Sequence, residues 1–166
     1  YYSGYAAWAR VYDTLGFKYL QNEVGLITHK GKTMAIAGVG DITYGNIPLR
    51  EQSTPVEGIP PNLAKVSEEA KAAGADTRIL LAHQPKSAPD NAGLGFDLQI
   101  SGHTHGGHVR GMDQWLIAPA NRGYVRGTYA VGPMALFVSS GAGLWPGFAI
   151  RLGVPSAIDV LTLTKG

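Results

Sequence analysis

Ser101 to His108 reads Ser-Gly-His-Thr-His-Gly-Gly-His, three imidazoles within six positions in a frame of glycines. This is the pattern of one side of a metal site. On an extended backbone, residues i and i+2 project to the same face roughly 6.5–7 Å apart. His103 and His105 could then each reach a different ion of a pair held about 3.5–4 Å apart, the spacing of two-metal hydrolases. Gly102, Gly106 and Gly107 remove side chains that would crowd such ions and permit the positive φ angles of a tight ligand loop. The spacing suits hydrolysis better than a structural zinc clip. The chain has no cysteine, so any metal must take His, carboxylate or amide ligands.

These residues need a frame, and the chain alternates helical and strand patterns. Trp8, Val11, Tyr12 and Leu15 recur at helical spacing before Gly16, which predicts a helix over about 5–15 with its aromatic stripe in the core. Val24–His29 and Thr33–Val39 flank Lys30-Gly31-Lys32 as a hairpin. Gly40 to Pro61 is a long Gly- and Pro-rich stretch, a lid or a mobile loop. Leu63, Val66, Ala70 and Ala73 mark a second helix, ending at Gly74. The buried strand 78–82 then delivers His83, and after a helical turn near Ser87–Ala92 the strand 97–100 delivers Ser101 to His108. Ligands of open α/β sheets collect beyond the carboxyl ends of strands, so His83 should meet His103 and His105. Strands at 129–131, 135–139 and 157–164 would extend the sheet, in antiparallel fashion around Gly132-Pro133.

Composition narrows the function classes. The chain has 166 residues, enough for one domain with a real core, and 45% of them are hydrophobic against 16% charged. The net charge of +2 comes from scattered Lys and Arg, which gives no electrostatic case for nucleic acid. The 24 residues between Arg126 and Arg151 carry no charge and are long enough to span a bilayer. Gly132-Pro133, Ser139-Ser140-Gly141 and Pro146-Gly147 break them into strands and a loop. The chain opens at Tyr1 with no initiator Met, signal peptide or transit pattern, and it reads as a fragment. Its compartment stays open: cytoplasmic, or membrane-associated or exported through an upstream segment.

With Leu81-Ala82-His83-Gln84-Pro85 and Ser101-Gly102-His103-Thr104-His105-Gly106-Gly107 in place, the chain resembles the C-terminal half of the calcineurin-like metallophosphoesterases, in their bacterial branch. Tyr1-Tyr2-Ser3-Gly4, Gly38-Val39-Gly40-Asp41 and the ending Leu161-Thr162-Leu163 add to the likeness, which covers essentially the whole chain. The resemblance implies an α/β fold, the metallophosphoesterase-type αββα sandwich, incomplete here at its N-terminus. It implies two divalent ions (Mn, Fe or Zn), with His83 and His103 on one and His105 on the other. A metal-bridged hydroxide would attack phosphorus while a histidine assists the leaving group. That acid histidine, the bridging carboxylate and the motifs Asp-x-His, Gly-Asp-x-x-Asp and Gly-Asn-His-Asp or -Glu do not occur in this chain; they are expected upstream of Tyr1. His108 stands where relatives commonly carry Gln, either as a ligand or substrate-phosphate contact or as a solvent-facing loop residue.

Other residues keep two readings. Asp41 is placed to serve the site or, more simply, to cap its loop. Arg122, Tyr124 and Arg126 are phosphate contacts or surface residues, and Trp115, Trp145 and Phe148 are an apolar rim or loop packing. His29 receives no role. The functional expectation is a metal-dependent phosphoester hydrolase acting on a phosphorylated small molecule or lipid-linked substrate, with a phosphodiester or pyrophosphate ahead of a monoester. The alternative is a non-catalytic module that binds one ion or a partner chain. Without covering strands the chain is expected to self-associate or to pair with the missing N-terminal segment.

Overall fold

A computed structural model of the chain describes residues 5–44, 58–145, 147 and 149–164. Tyr1 to Gly4, Phe148 and most of the stretch between Gly40 and Pro61 lie outside the described residues. Six strands form one sheet: β1 (Glu23–His29), β2 (Lys32–Gly38), β3 (Thr77–Leu81), β4 (Leu98–Ser101), β5 (Gly127–Val131) and β6 (Met134–Val138), in the order β1-β2-β3-β4-β6-β5. The central four, β2, β3, β4 and β6, are parallel, and the edge strands β1 and β5 run antiparallel to their neighbours. Lys30 and Gly31 both take positive φ, 49° and 74°, the conformation that a two-residue hairpin requires. The hairpin at Gly132-Pro133 turns as expected.

Helix α2 (Leu63–Ala72) and the short helix α3 (Ala88–Asn91) supply the crossovers from β2 to β3 and from β3 to β4. Asn62 caps α2 by accepting from Lys65 N–H at 3.1 Å. One face of the sheet carries the core: Ala35, Ala37, Leu80, Leu136 and Val138 pack with Val66 and Ala70 of α2 and with Ala88, Ala92 and Phe96. Small residues on β2 let α2 approach closely. The register sets Ala37, Leu80, Gln99 and Leu136 side by side across four strands of this face. The opposite face is covered only in part. Leu20 lies over Gly38, where a Cβ would stand 2.6 Å from the Leu20 Cβ, but Leu81 remains 38% exposed and Ile36, Ile100 and Phe137 are half-buried. The described residues thus build one of the two sheets that a ββ sandwich would have.

Two expectations need correction. The segment 157–164 is not a strand: Ala157 N–H reaches Gly141 O at the end of the sheet, and Ile158 and Val160 stand exposed. Apolar alternation suggests a strand, but the pairing has to come from an open edge, and this segment lies along none. Helix α1 (Tyr5–Thr14) forms, yet Trp8, Val11, Tyr12 and Leu15 are exposed. Its aromatic residues stack locally, Tyr12 against Phe17 and Tyr19, and do not enter the core.

Candidate metal centre

The carboxyl ends of all four parallel strands open into one cluster of loops. Asp41 follows β2, His83 follows β3, His103 to His108 follow β4, and Ser139 to Gly143 follow β6. Backbone bonds tie these ends together, with Gly102 N–H on His83 O at 3.0 Å and Ser139 N–H on Ser101 O at 2.9 Å. Beneath them lies a buried polar chain that apolar patterning did not reveal. Asn91 Nδ2 donates to Gln99 Oε1, Gln99 Nε2 donates to Ser101 Oγ, each at 2.9 Å, and Ser101 Oγ donates to Ala82 O at 2.7 Å. It links the strands just below the two histidine positions.

His83 and His103, twenty residues apart, meet at this edge. His103 Nδ1 lies 3.3 Å from His83 Nε2, with the rings edge to face. Two nitrogens bound to one tetrahedral zinc at 2.0–2.1 Å would stand about 3.3–3.4 Å apart, so this pair has the separation of two ligands of one ion. Asp41 Oδ2 is 4.0 Å from His83 Nε2, and a nitrogen and carboxylate donor set suits Zn, Fe or Mn. Asp41 also caps its loop, accepting from Thr43 N–H at 2.7 Å and Gln84 Nε2 at 2.8 Å. The loop-capping reading of Asp41 therefore holds, and the same carboxylate lies beside His83. Among the described residues no group of three or more His, Asp or Glu side chains converges on a point where an ion could sit. The fit is that of a partial ligand set.

The local electrostatics favour ligating forms. Withdrawal from water lowers the His83 pKa, partly opposed by Asp41. For His103, withdrawal from water and then the neighbouring His83 push it down to about 4. Both rings are thus neutral at neutral pH, as metal ligands must be. Burial alone would raise the Asp41 carboxyl, but the Thr43 hydroxyl and N–H, His83 and Gln84 outweigh it and keep the pKa low.

His105 goes elsewhere, for a reason that strand geometry does not supply. The loop is not extended: His103, His105 and His108 take φ of 70°, 51° and 58°, a region that non-glycine residues rarely occupy and that concentrates at functional sites. His105 turns to Gly143, with Nδ1 3.2 Å from its carbonyl, and stacks on His108 at 4.7 Å. His108 is buried, which removes the solvent-facing reading. Gly106 and Gly107 cannot be replaced freely, since a Cβ on Gly106 would stand 2.5 Å from Ser140 Oγ and one on Gly107 would run into Asp113. Arg126 is structural: it donates to Gly106 O at 2.6 Å and pairs with buried Asp113 at 2.9 Å. The Asp113 carboxyl is held below its ordinary value by Gly111 N–H and then by Arg126. Arg122 pairs with Asp90, while Tyr124 packs on Tyr129. Pattern reading assigned no role to Gln84, Asp113 and Arg151, whose bonds to Asp41, to Arg126 and to His105 and Gly143 are made by the fold.

No family model matches the chain. An uncharacterized metallophosphoesterase of Campylobacter jejuni is 40% identical over 104 residues, 62% of this chain and 26% of that protein. By sequence the chain is similar to metallophosphoesterases over part of its length. A second such relative, the uncharacterized metallophosphoesterase YkuE of Bacillus subtilis, is 32% identical over 87 residues, 51% of this chain and 30% of its own length. The chain spans less than a third of the length of either relative. In fold it is similar to the sulfate thiohydrolase SoxB of Thermus thermophilus, with a TM-score of 0.52 at 19% identity over 78% of this chain and 25% of that one.

Proposed function

We propose that residues 1–166 are one domain, the C-terminal part of a metal-dependent phosphoester hydrolase, and that they supply the histidine side of a two-ion centre. His83 and His103 would hold one divalent ion and His105 the other, as Mn, Fe or Zn. The observation that carries this reading is the 3.3 Å approach of His103 Nδ1 to His83 Nε2. When bound, the ions would polarise phosphoryl oxygens and activate water. The protein's own part is to hold neutral imidazoles in place, with Asp41 beside His83 and glycines keeping the loop open to substrate. A phosphodiester or pyrophosphate is preferred over a monoester, because Trp115 is 84% exposed and Trp145 lies 6.5 Å from His108. Such an apolar rim suits a lipid-linked or otherwise apolar phosphorylated molecule. His108, buried behind His105, is assigned to shaping that rim and the substrate phosphate site.

A second reading, a module that binds one ion or a partner chain without catalysis, draws on the incomplete ligand set. The test is His103→Ala in the full-length protein loaded with Mn or Zn. Turnover of an aryl phosphodiester should fall by about two orders of magnitude or more, with one ion lost per chain by elemental mass spectrometry. Near-normal turnover in the variant would sink the catalytic assignment; no turnover even in the wild type, with one ion retained, would favour the module.

A further inference from the structure

We propose that Arg151 is the positioning residue for His105, a role that rests on the metal-centre reading above only for its consequence in ion binding. One guanidinium gathers carbonyls from three separate segments. Nη1 donates to His105 O at 3.1 Å and Pro155 O at 3.3 Å, and Nη2 donates to Ser140 O at 2.8 Å, Gly141 O at 3.1 Å and Gly143 O at 2.7 Å. Carbonyl dipoles aimed at one point repel one another, and a central cation is what lets them converge. Among these oxygens, Gly143 O is also the partner of the His105 ring, 3.2 Å from Nδ1. A carbonyl can only accept, so His105 Nδ1 must carry the hydrogen. Nε2 is then left as the ring's ligating nitrogen. A fixed second hydrogen bond of this kind sets the tautomer and aim of metal-binding histidines.

The backbone around Arg151 is built to hold this arrangement. Leu152 N–H donates to His108 O at 3.0 Å and Arg110 N–H donates to Leu152 O at 2.9 Å, which lays the segment alongside the histidine loop. Val154 is buried against Gly106 on the same side. Arg151 thus fixes both the main chain of His105 and the acceptor of its side chain, while His83 and His103 depend on neither. Its removal should disturb one half of the histidine set and spare the other.

The test uses the full-length protein with ¹⁵N-labelled histidine, as wild type, Arg151→Met and Arg151→Lys. In the metal-free wild type, long-range ¹⁵N–¹H spectra should show His105 as the Nδ1–H tautomer. In R151M the Nε2–H form should appear and binding of the His105-dependent Mn ion should weaken about 10- to 100-fold, with the His83 and His103 signals unchanged; R151K should recover part of both. A folded R151M that keeps the wild-type tautomer and Mn binding would overturn the proposal. Should R151M not fold, the wild type decides, because an Nε2–H tautomer there overturns it as well. Failure of the phosphoesterase reading would show separately, as wild-type protein without metal-dependent turnover whose tautomers still answer to Arg151.

Discussion

At the scale of single residues, His103 makes the clearest statement about pH. Its folded-state value is pushed down to about 4, by withdrawal from water and then by His83, against about 6.5 for a free imidazole. Below that ordinary value the unfolded chain takes up a proton that the folded ring refuses. Stability is therefore fully present above about pH 6.5, falls as the pH drops towards about 4, and levels off below. Because the ring keeps an exposed edge, the effect is modest. Denaturant titrations of the metal-free protein at several pH values, compared with His103→Gln, should show a shallower slope over this window in the variant; identical slopes would remove His103 as its source. The extended geometry expected of His103 and His105 does not hold in this loop. Positive φ at His103 and His105, not strand alternation, sends one ring to His83 and the other to Gly143.

At the scale of elements, β4 shows how much a strand end depends on what lies beneath it. Gln99 is fully buried and bridges Asn91 to Ser101, so its amide couples α3 to the two strands that deliver His83 and His103. Gln99→Leu would leave the Asn91 amide without that acceptor and Ser101 Oγ without that donor. Asn91 Nδ2 would keep Ser87 Oγ and Ser101 Oγ would keep Ala82 O, so chemical denaturation should register a loss of about 1–3 kcal/mol for the two hydrogen bonds removed. A change below about 0.5 kcal/mol would mean the polar chain is dispensable to stability. Hairpins and crossover helices were legible because their signals are local: Lys30-Gly31-Lys32 between two strand-like runs, and Leu63, Val66, Ala70 and Ala73 at helical spacing before Gly74. The reading of 157–164 as a strand failed because pairing is not local, and the core role given to the α1 stripe failed because its partners turned out to be Phe17 and Tyr19.

At the scale of the whole molecule, the sheet is finished on one face and open on the other. Helices α2 and α3 cover Ala35, Ala37 and Leu80, whereas Leu81 and Ile27 on other positions of the sheet remain exposed and the edges β1 and β5 have free sides among the described residues. Exposed apolar surface and open strand edges promote association. Residues 1–166 expressed alone should therefore self-associate at micromolar concentration, and longer protein carrying a second sheet should not. Sedimentation velocity checks this directly. A monomer that unfolds cooperatively would show that the chain needs no further cover. No described helix is long and apolar enough to cross a membrane, and the uncharged run after Arg126 is spent on β5, β6 and the loop that meets His105.

The amino-acid sequence by itself determined the chemistry available and the order in which it is delivered: nitrogen and oxygen donors only, strands ending in His83 and in the Gly-His-Thr-His-Gly-Gly run, helices between them. Those are properties of residue type and near-neighbour spacing. Only the tertiary structure decided which donors share a position, because parallel pairing of β2, β3, β4 and β6 stacks four strand ends that are distant in sequence. It separated His105 from the meeting of His83 and His103 that the strand ends suggested, brought Asp41 to 4.0 Å from His83, and placed Arg151 among the carbonyls around His105. Side-chain aim depends on loop φ angles and on long-range hydrogen-bond partners, and neither is encoded in the spacing of the motif.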